Sequence, residues 1–374
     1  MDTFSLLGII TFGVIFISLL FATFLFTVTT KNKLSNRLIA FYFIVFSIHM
    51  SVFIYAKYVD IPLTLDRLRD QIIFLSSPLL YLYVLSAVYS DFKLKPIHLL
   101  HFIPFFIEVF VYFPRFYLVN NEQRILFYNS FNSNLEVKFS AIYAVLIVVF
   151  YLTLIFLILK KYKAVLLENY SYKKSFNYKW LHQFFVLLSI IFIFSVIKQI
   201  YKFYGSDIDT LNIIRVILTL LLLCFLSWIV LMSMYKPELF KGIDTKHQLV
   251  NTIIKNKTLN NEHLETIKRL QEYMETKEPY LDAFLTIKKL AEQLNIPTNE
   301  LSILINHELG KHFFDFVNEY RIKKAIHLFK ESNDIKLTVL EVLFEVGFNS
   351  KSPFNTAFKK FTGLTPTQYR NTQL

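Results

Sequence analysis

Polar side chains near the C-terminal end recur at the spacing of one helix face. Positions three and four residues apart lie on the same side of an α-helix. The candidate contact residues in this stretch are Ser350, Lys351, Ser352, Asn355, Thr356, Lys359 and Lys360. Short polar side chains can hydrogen-bond to base edges in the major groove, and lysines can bind phosphates. The pattern therefore predicts a helix that contacts double-stranded DNA.

The segment before this helix predicts a tight two-helix corner. Thr338 and Glu341 stand three positions apart, which is the spacing of a capping box at a helix N-terminus. Gly347 follows that helix and can adopt the positive φ that a sharp corner requires. Ser350 is predicted to cap the next helix, and Pro353 falls in its first turn, where proline is tolerated. Together the two helices form a helix-turn-helix.

An earlier segment, 286–307, has the same pattern. A helix over 286–294 is followed by a turn at 295–297, and Thr298 is predicted to cap the second helix. That helix is expected to present its polar residues outward. Its candidate DNA contacts are Thr298, Asn299, Ser302, Asn306 and His307. A longer scaffold helix over 314–330 separates the two units, so that one monomer could read two successive major grooves.

Two stretches resemble a known family. The segment GFNSKSPFNTAFKKFTGLTPTQYR (347–370) is similar, nearly residue by residue, to the signature that closes AraC-type DNA-binding domains. FVNEYRIKKA (316–325) resembles the start of that family's central scaffold helix. The resemblance covers 280–374 and implies a DNA-binding domain with two helix-turn-helix units. One departure is Leu343, where such corners usually hold a small residue.

Everything before this region has the composition of a membrane protein. The chain is 54% hydrophobic, with 41 Phe and only 7 Gly, whereas soluble domains are about 45–50% apolar. The first apolar stretch, 4–28, lacks a basic leader and a small-residue cleavage site, so it is predicted to be a span. Cys224 is the single cysteine of the sequence, which excludes an intrachain disulfide.

Seven stretches are long enough to cross a bilayer, which needs about 20 apolar residues. They are 4–29, 38–57, 72–90, 97–114, 137–159, 181–204 and 211–235. On one side the loops carry eleven Lys and Arg, at 31, 33, 37, 93, 95, 160, 161, 163, 173, 174 and 179. The other side carries four, at 67, 69, 115 and 124, or seven with 57, 138 and 202 at span edges. Because basic loops stay cytoplasmic, the N-terminus is predicted outside and the C-terminal domain inside.

Ionisable residues within spans are candidate functional groups, because they are costly in hydrocarbon. His49, Glu108 and Lys198 all fall nearer the outer ends of their predicted spans. A Glu108–Lys198 pair with His49 nearby would line an outward-facing, ligand-sensing pocket. The alternative is that Lys198 and Lys202 reach the outer interface and that Glu108 pairs locally.

The connecting segment, 236–279, contains a helix predicted over 261–277. Leu264, Ile267, Leu270 and Met274 recur at three- and four-residue spacing there. This helix could pair with its copy in a homodimer, or it could dock onto the DNA-binding domain. The predicted organisation is thus a sensor domain over 1–235, a linker over 236–279 and a DNA-binding domain over 280–374.

No enzyme class is indicated by the sequence. His307 and His312 flank Glu308 as in a zincin motif, but a spacing of five residues puts the two histidines on different helix faces. The sequence contains no Gly-rich phosphate loop and no serine nucleophile elbow. We therefore expect no catalytic residue, no metal and no cofactor.

The whole layout resembles AraC-type regulators with a seven-helix membrane sensor, which implies an all-α, one-component transcription regulator of the bacterial inner membrane. Its expected partners are a double-stranded DNA operator, the lipid bilayer, RNA polymerase and an unknown small-molecule or envelope signal. One alternative is a membrane receptor or transporter whose helix-turn-helix domain binds a protein. Another is a regulator released by proteolysis within 236–262.

Overall fold

The computed structural model describes residues 3–28, 33–56, 58–89, 92–170, 176–205, 207–235, 261–331 and 338–372. Within these ranges every regular element is a helix, as the all-α prediction requires. The chain forms two compact units. The first comprises Met1–Leu159 and Lys179–Lys246, and the second comprises Lys160–Tyr178 and His247–Leu374.

Seven helical segments are long and apolar enough to cross a membrane, as predicted. They are Leu6–Thr27, Lys33–Tyr55, Leu63–Val88, Pro96–Tyr117, Leu135–Asn169, Tyr178–Tyr204 and Ile208–Tyr235. Each helix satisfies its own backbone hydrogen bonds and carries apolar leucine, isoleucine and phenylalanine side chains outward. Both properties suit a lipid environment.

The first three segments are built from five α-helices. These are α1 (Thr3–Thr27), α2 (Lys33–Met50), α3 (Val52–Tyr55), α4 (Leu63–Gln71) and α5 (Ser76–Val88). A 3₁₀ turn, Ile72–Leu75, joins α4 to α5. Two basic residues predicted to lie in a loop, Arg67 and Arg69, are therefore helical. Each pairs with an aspartate one turn away, Arg67 with Asp70 at 2.9 Å and Arg69 with Asp66 at 3.0 Å, which lets the polar turn continue the span.

The remaining helices of this half follow in order. They are α6 (Ile103–Tyr112), α7 (Asn121–Asn129), α8 (Leu135–Asn169), α9 (Phe176–Tyr204) and α10 (Ile208–Tyr235). A 3₁₀ turn, Pro96–Phe102, precedes α6, and a π turn, Phe113–Tyr117, follows it. The short α7 begins where Asn120 accepts a hydrogen bond from the Gln123 N–H at 3.0 Å. Its Phe127 packs with Tyr112 and Phe116 in an aromatic cluster.

Seven further α-helices follow in the described residues 261–331 and 338–372. They are α11 (Asn261–Lys277), α12 (Ile287–Leu294), α13 (Thr298–Ile303), α14 (Phe313–Glu331), α15 (Val339–Glu345), α16 (Lys351–Thr362) and α17 (Pro366–Asn371). A π turn, Leu304–Glu308, extends α13. Within the second unit, Tyr170 forms an isolated antiparallel bridge with Thr286.

Helix α14 is shared by two hydrophobic cores. Its first half supplies Phe313 and Val317 to a first core around α12 and α13. Its second half supplies Ile322 and Ala325 to a second core around α15 and α16. The scaffold helix predicted from the sequence therefore holds both helix-turn-helix units in one body.

Helix α11 docks on the first core. Leu270 and Met274 are fully buried there, and the Arg269 guanidinium donates to the Leu294 carbonyl at 2.7 Å. Leu264 remains 53% exposed. The docking alternative for 261–277 is therefore the one observed, and Leu270 and Met274 are occupied by intramolecular packing. The preceding part of the predicted linker, 236–260, lies outside the described residues.

Candidate functional sites

The second helix-turn-helix has the local geometry that its sequence predicts. The Thr338 hydroxyl accepts from the Glu341 N–H at 3.1 Å, and the Glu341 carboxylate accepts from the Thr338 N–H at 2.7 Å, which completes the capping box. Gly347 has φ +85° at the corner. A Cβ there would lie 2.6 Å from the Tyr280 carbonyl oxygen, so both backbone conformation and close approach require glycine.

Helix α16 separates an apolar face from a polar one. Phe354 and Phe358 are fully buried in the second core. The predicted contact residues are exposed on this helix and at its start, namely Ser350, Lys351, Ser352, Asn355, Thr356, Lys359 and Lys360. Ser350 occupies the N-cap position, but its side chain makes no capping hydrogen bond.

One lysine of this face is tied to the scaffold. Lys360 forms a 2.7 Å ion pair with Asp315 of α14. Lys351 and Lys359 make no ion pair with the described residues, so their charges remain available for a phosphate.

The first helix-turn-helix departs from prediction at two side chains. Pro297, not Thr298, occupies the N-cap of α13, and Thr298 is the first helical residue. Ser302 is only 3% exposed and accepts a hydrogen bond from the Asn306 amide at 3.1 Å. The expectation that Ser302 faces outward is therefore wrong, because its position on α13 turns toward the first core. Asn299 and His307 are exposed, and Asn306 is half-buried.

The two helix-turn-helix motifs differ in charge. Helix α13 and its π turn contain Glu300 and Glu308 but no Lys or Arg, whereas α16 contains three lysines. Several cations elsewhere in this half are held in ion pairs. These pairs are Lys288–Glu292, Lys289–Asp282, Lys311–Glu319, Lys323–Glu319 and Lys324–Glu278.

Arg321 is a structural residue whose role the sequence did not disclose. It is fully buried, and its guanidinium donates to the Tyr280 carbonyl at 2.7 Å and to the Asp282 carbonyl at 2.8 Å. It also lies 5.4 Å from the centre of the Phe348 ring. Burial lowers the pKa of Arg321 to about 10, so it remains charged at neutral pH. The sequence signal that could have revealed its burial is its spacing on α14. Arg321 lies four residues after Val317 and four before Ala325, and both of these are core positions on the same helix face.

The three candidate sensing residues of the first unit line one cavity. His49, Glu108 and Lys198 border a space of about 460 Å³. The acidic and basic residues of its lining are His49, Arg67, Asp70, Glu108, Lys198, Lys202 and Arg215. The sequence assigned Arg67 and Asp70 to a loop and therefore did not place them in the site.

Glu108 pairs with Arg67 rather than with Lys198, which corrects the predicted Glu108–Lys198 pair. Its carboxylate is 3.1 Å from the Arg67 guanidinium and accepts from the Ser140 hydroxyl at 2.7 Å. Arg67 reaches Glu108 because α4 begins the third span early enough to bring this guanidinium into the bundle. His49 lies 3.6 Å from Asp70, which also pairs with Arg67.

The similarity of this chain to known proteins lies in its C-terminal part. A family model described as a helix-turn-helix domain matches residues 290–372. The chain is 35% identical over 88 residues to the HTH-type transcriptional regulator YobQ of Bacillus subtilis, covering 24% of this chain and 35% of that protein. It is 34% identical over 84 residues to the HTH-type transcriptional regulator MtrA of Neisseria gonorrhoeae, covering 22% of this chain and 27% of that protein.

A solved structure is also similar. The C-terminal domain of AraT, a response regulator from Geobacillus stearothermophilus, is 32% identical, with a TM-score of 0.26. The match covers 29% of this chain and 85% of that one. By contrast, the chain spans between about a tenth and a third of the length of the curated relatives it matches.

Proposed function

We propose that the whole chain is a membrane-embedded, one-component transcription regulator whose C-terminal domain belongs to the AraC-type helix-turn-helix family. That family consists of DNA-binding regulators and not of enzymes. The observation that carries the proposal is the exposed polar face of α16 on a chain that also contains seven membrane-length helices.

The proposed DNA interface consists of α13 and α16, each entering one of two successive major grooves. The residues proposed to contact DNA are Thr298, Asn299, Asn306, His307, Ser350, Lys351, Ser352, Asn355, Thr356, Lys359 and Lys360. Asn355 and Thr356 are placed to meet base edges, while Lys351 and Lys359 bind phosphates. Since α13 carries no lysine or arginine, we expect α16 to supply most of the electrostatic contribution to affinity.

The proposed membrane half is 1–235, followed by a linker over 236–279 and the DNA-binding domain over 280–374. The excess of Lys and Arg in alternate loops supports an outer N-terminus and a cytoplasmic C-terminus in the bacterial inner membrane. In this orientation His49, Glu108 and Lys198 lie toward the outer face. A signal bound there changes DNA binding only if it binds two states of the protein with different affinity.

The proposal is tested by crosslinking the full-length protein to DNA in living cells. We expect discrete sites for the natural chain, and loss of those sites when Asn355→Ala and Lys359→Ala are combined. Both side chains are exposed, so the double variant should fold. A matched control is Lys330→Ala, which removes an exposed lysine from α14 and should leave the sites unchanged.

If the natural chain enriches no sites with or without envelope stress, the regulator role is wrong and a protein-binding role for the helix-turn-helix domain is favoured. An immunoblot of the same cells tests proteolytic release. A soluble fragment that begins within 236–262 and appears only under inducing conditions would show release, whereas an intact chain at induced promoters would exclude it.

A further inference from the structure

The charges that line the cavity of the first unit fall into two groups. Arg67 pairs with both lining carboxylates, at 2.9 Å from Asp70 and 3.1 Å from Glu108. The other group comprises Lys198 and Lys202 of α9 and Arg215 of α10. None of these three makes an ion pair within 4.0 Å to a carboxylate of the described residues. The lining thus holds four lysine or arginine side chains and two carboxylates.

We term Lys198, Lys202 and Arg215 the α9–α10 cations. They also make few contacts with neutral polar or aromatic groups. The Lys202 ammonium lies 5.0 Å from the centre of the Phe131 ring. Arg215 donates to the Asn212 side chain at 3.0 Å. Lys198 forms no hydrogen bond within the described part of the chain. Like charges held together in an apolar setting repel one another, and an anion placed among them would relieve that repulsion.

The rest of the lining is largely apolar and extends along the same two helices. Lys198 and Leu188 are ten residues apart on α9, and Arg215 and Phe225 are ten apart on α10, and all four border the cavity. At the rise of an α-helix this separation is about 15 Å on each helix. The cavity is therefore cationic around Lys198 and Arg215 and apolar as far as Leu188 and Phe225. Its volume of about 460 Å³ is typical of ligand sites.

We propose that this cavity binds an anionic amphiphile. Its carboxylate or phosphate headgroup lies among the α9–α10 cations, and its alkyl chain runs along the apolar lining toward Leu188 and Phe225. A cationic ligand would meet like charge at this end, and a wholly apolar one would leave the three cations without an ion pair to any carboxylate of the described residues. This ligand class presupposes the sensor role proposed above for the first unit.

Binding is measured on the full-length chain in nanodiscs of phosphatidylcholine, with radiolabelled palmitate as the probe and empty nanodiscs as the background. We expect saturable binding. Hexadecyl phosphate should compete, whereas hexadecanol, acetate and inorganic phosphate should not. Competition by hexadecanol as strong as by palmitate would show that the headgroup is not recognised and would overturn the proposal. Equal competition by inorganic phosphate would show that the alkyl chain is not recognised, with the same consequence.

Site variants locate the headgroup. Lys198→Met and Lys202→Met should each raise the dissociation constant of palmitate about tenfold, since each removes a charged hydrogen-bond donor. The matched control is Lys179→Met, an exposed lysine at the other end of α9, which should leave the constant unchanged. Folding of each variant is checked by the emission of Trp180 and Trp228, both of which belong to this unit. Unchanged affinity in both folded site variants, or no saturable binding to the natural chain, would overturn the assignment.

The binding assay contains no DNA, so it separates this inference from the regulator role. Saturable palmitate binding by a chain that crosslinks to no DNA site would retain the ligand class and reject the regulator. Discrete DNA sites with no palmitate binding would do the reverse.

Discussion

Among single residues, Arg321 joins several parts of the second unit. It links α14 to the backbone of the segment before the first helix-turn-helix, and it lies against Phe348 at the corner of the second. We expect Arg321→Met to destabilise this unit by about 3 kcal/mol or more, because two buried carbonyl groups would lose a charged donor. Protease resistance of the second unit in the purified chain measures the effect.

Two further variants make that measurement specific. Arg321→Lys keeps the charge but not the planar array of donors, so it should be intermediate. Lys323→Met removes an exposed neighbour on α14 and should change resistance little. Equal resistance of Arg321→Met and the natural chain would show that the guanidinium bonds contribute nothing.

The junction between α11 and the domain is predicted to be sensitive to acid through Glu278. The Lys324 ammonium at 2.9 Å and the Tyr280 hydroxyl at 2.8 Å both donate to its carboxylate and hold the pKa of Glu278 below its usual value. Because the folded pKa is the lower one, this stabilisation is present above the unfolded value of about 4.3 and is lost as pH falls through the folded pKa.

We therefore expect Glu278→Gln to be less stable than the natural chain at neutral pH, with a difference that shrinks at an acidic pH below the folded pKa. Thermal unfolding at both pH values provides the comparison. The control is Glu292→Gln, which removes an exposed ion pair with Lys288 of 3.7 Å and should have little effect at neutral pH. A difference for Glu278→Gln that persists unchanged in acid would contradict the assignment.

Among elements, α11 packs as part of the helix-turn-helix half of the chain rather than as a free linker helix. Leu270 is fully buried in the first core, whereas Leu264 on the same helix is 53% exposed. Leu270→Ala should cost about 2–5 kcal/mol of stability through lost burial and a residual cavity. Leu264→Ala should stay within about 0.5 kcal/mol of the natural chain.

Urea unfolding of the second unit measures both variants, and it also tests the alternative role of α11. If Leu264→Ala lowered stability as much as Leu270→Ala and did so in a concentration-dependent way, the exposed face of α11 would be a dimer contact. Independence from concentration supports docking alone.

For the whole molecule, the proposed orientation predicts which loops reagents can reach in intact cells. The single cysteine, Cys224, is first replaced by serine. Asn132→Cys, in the loop assigned to the outside, should react with a membrane-impermeant maleimide in intact cells. Lys93→Cys, in a loop assigned to the cytoplasm, should react only after lysis. Both positions are exposed, so the reverse pattern would invert the assigned topology.

Much of this protein's organisation is encoded in short stretches of its sequence. The seven apolar segments, the helix over 261–277, the Thr338–Glu341 capping box and the positive φ of Gly347 each depend on residues within one or a few helical turns. The signature at 347–370 likewise indicated a helix-turn-helix domain from one contiguous stretch. Neighbouring residues set the span length, the hydrophobic period and the capping of a helix. These properties can therefore be predicted before the fold is known.

Contacts between residues that are far apart in the sequence become visible only in the folded chain. Glu108 has Arg67 as its partner, 41 residues away, and Arg321 bonds to the Tyr280 carbonyl, also 41 residues away. Ser302 faces inward for the same reason, since the packing of α13 on its core sets which face is covered. Local sequence fixes a helix and its period, but pairing across a bundle depends on how far each helix extends and how it is rotated, and those are properties of the packed whole.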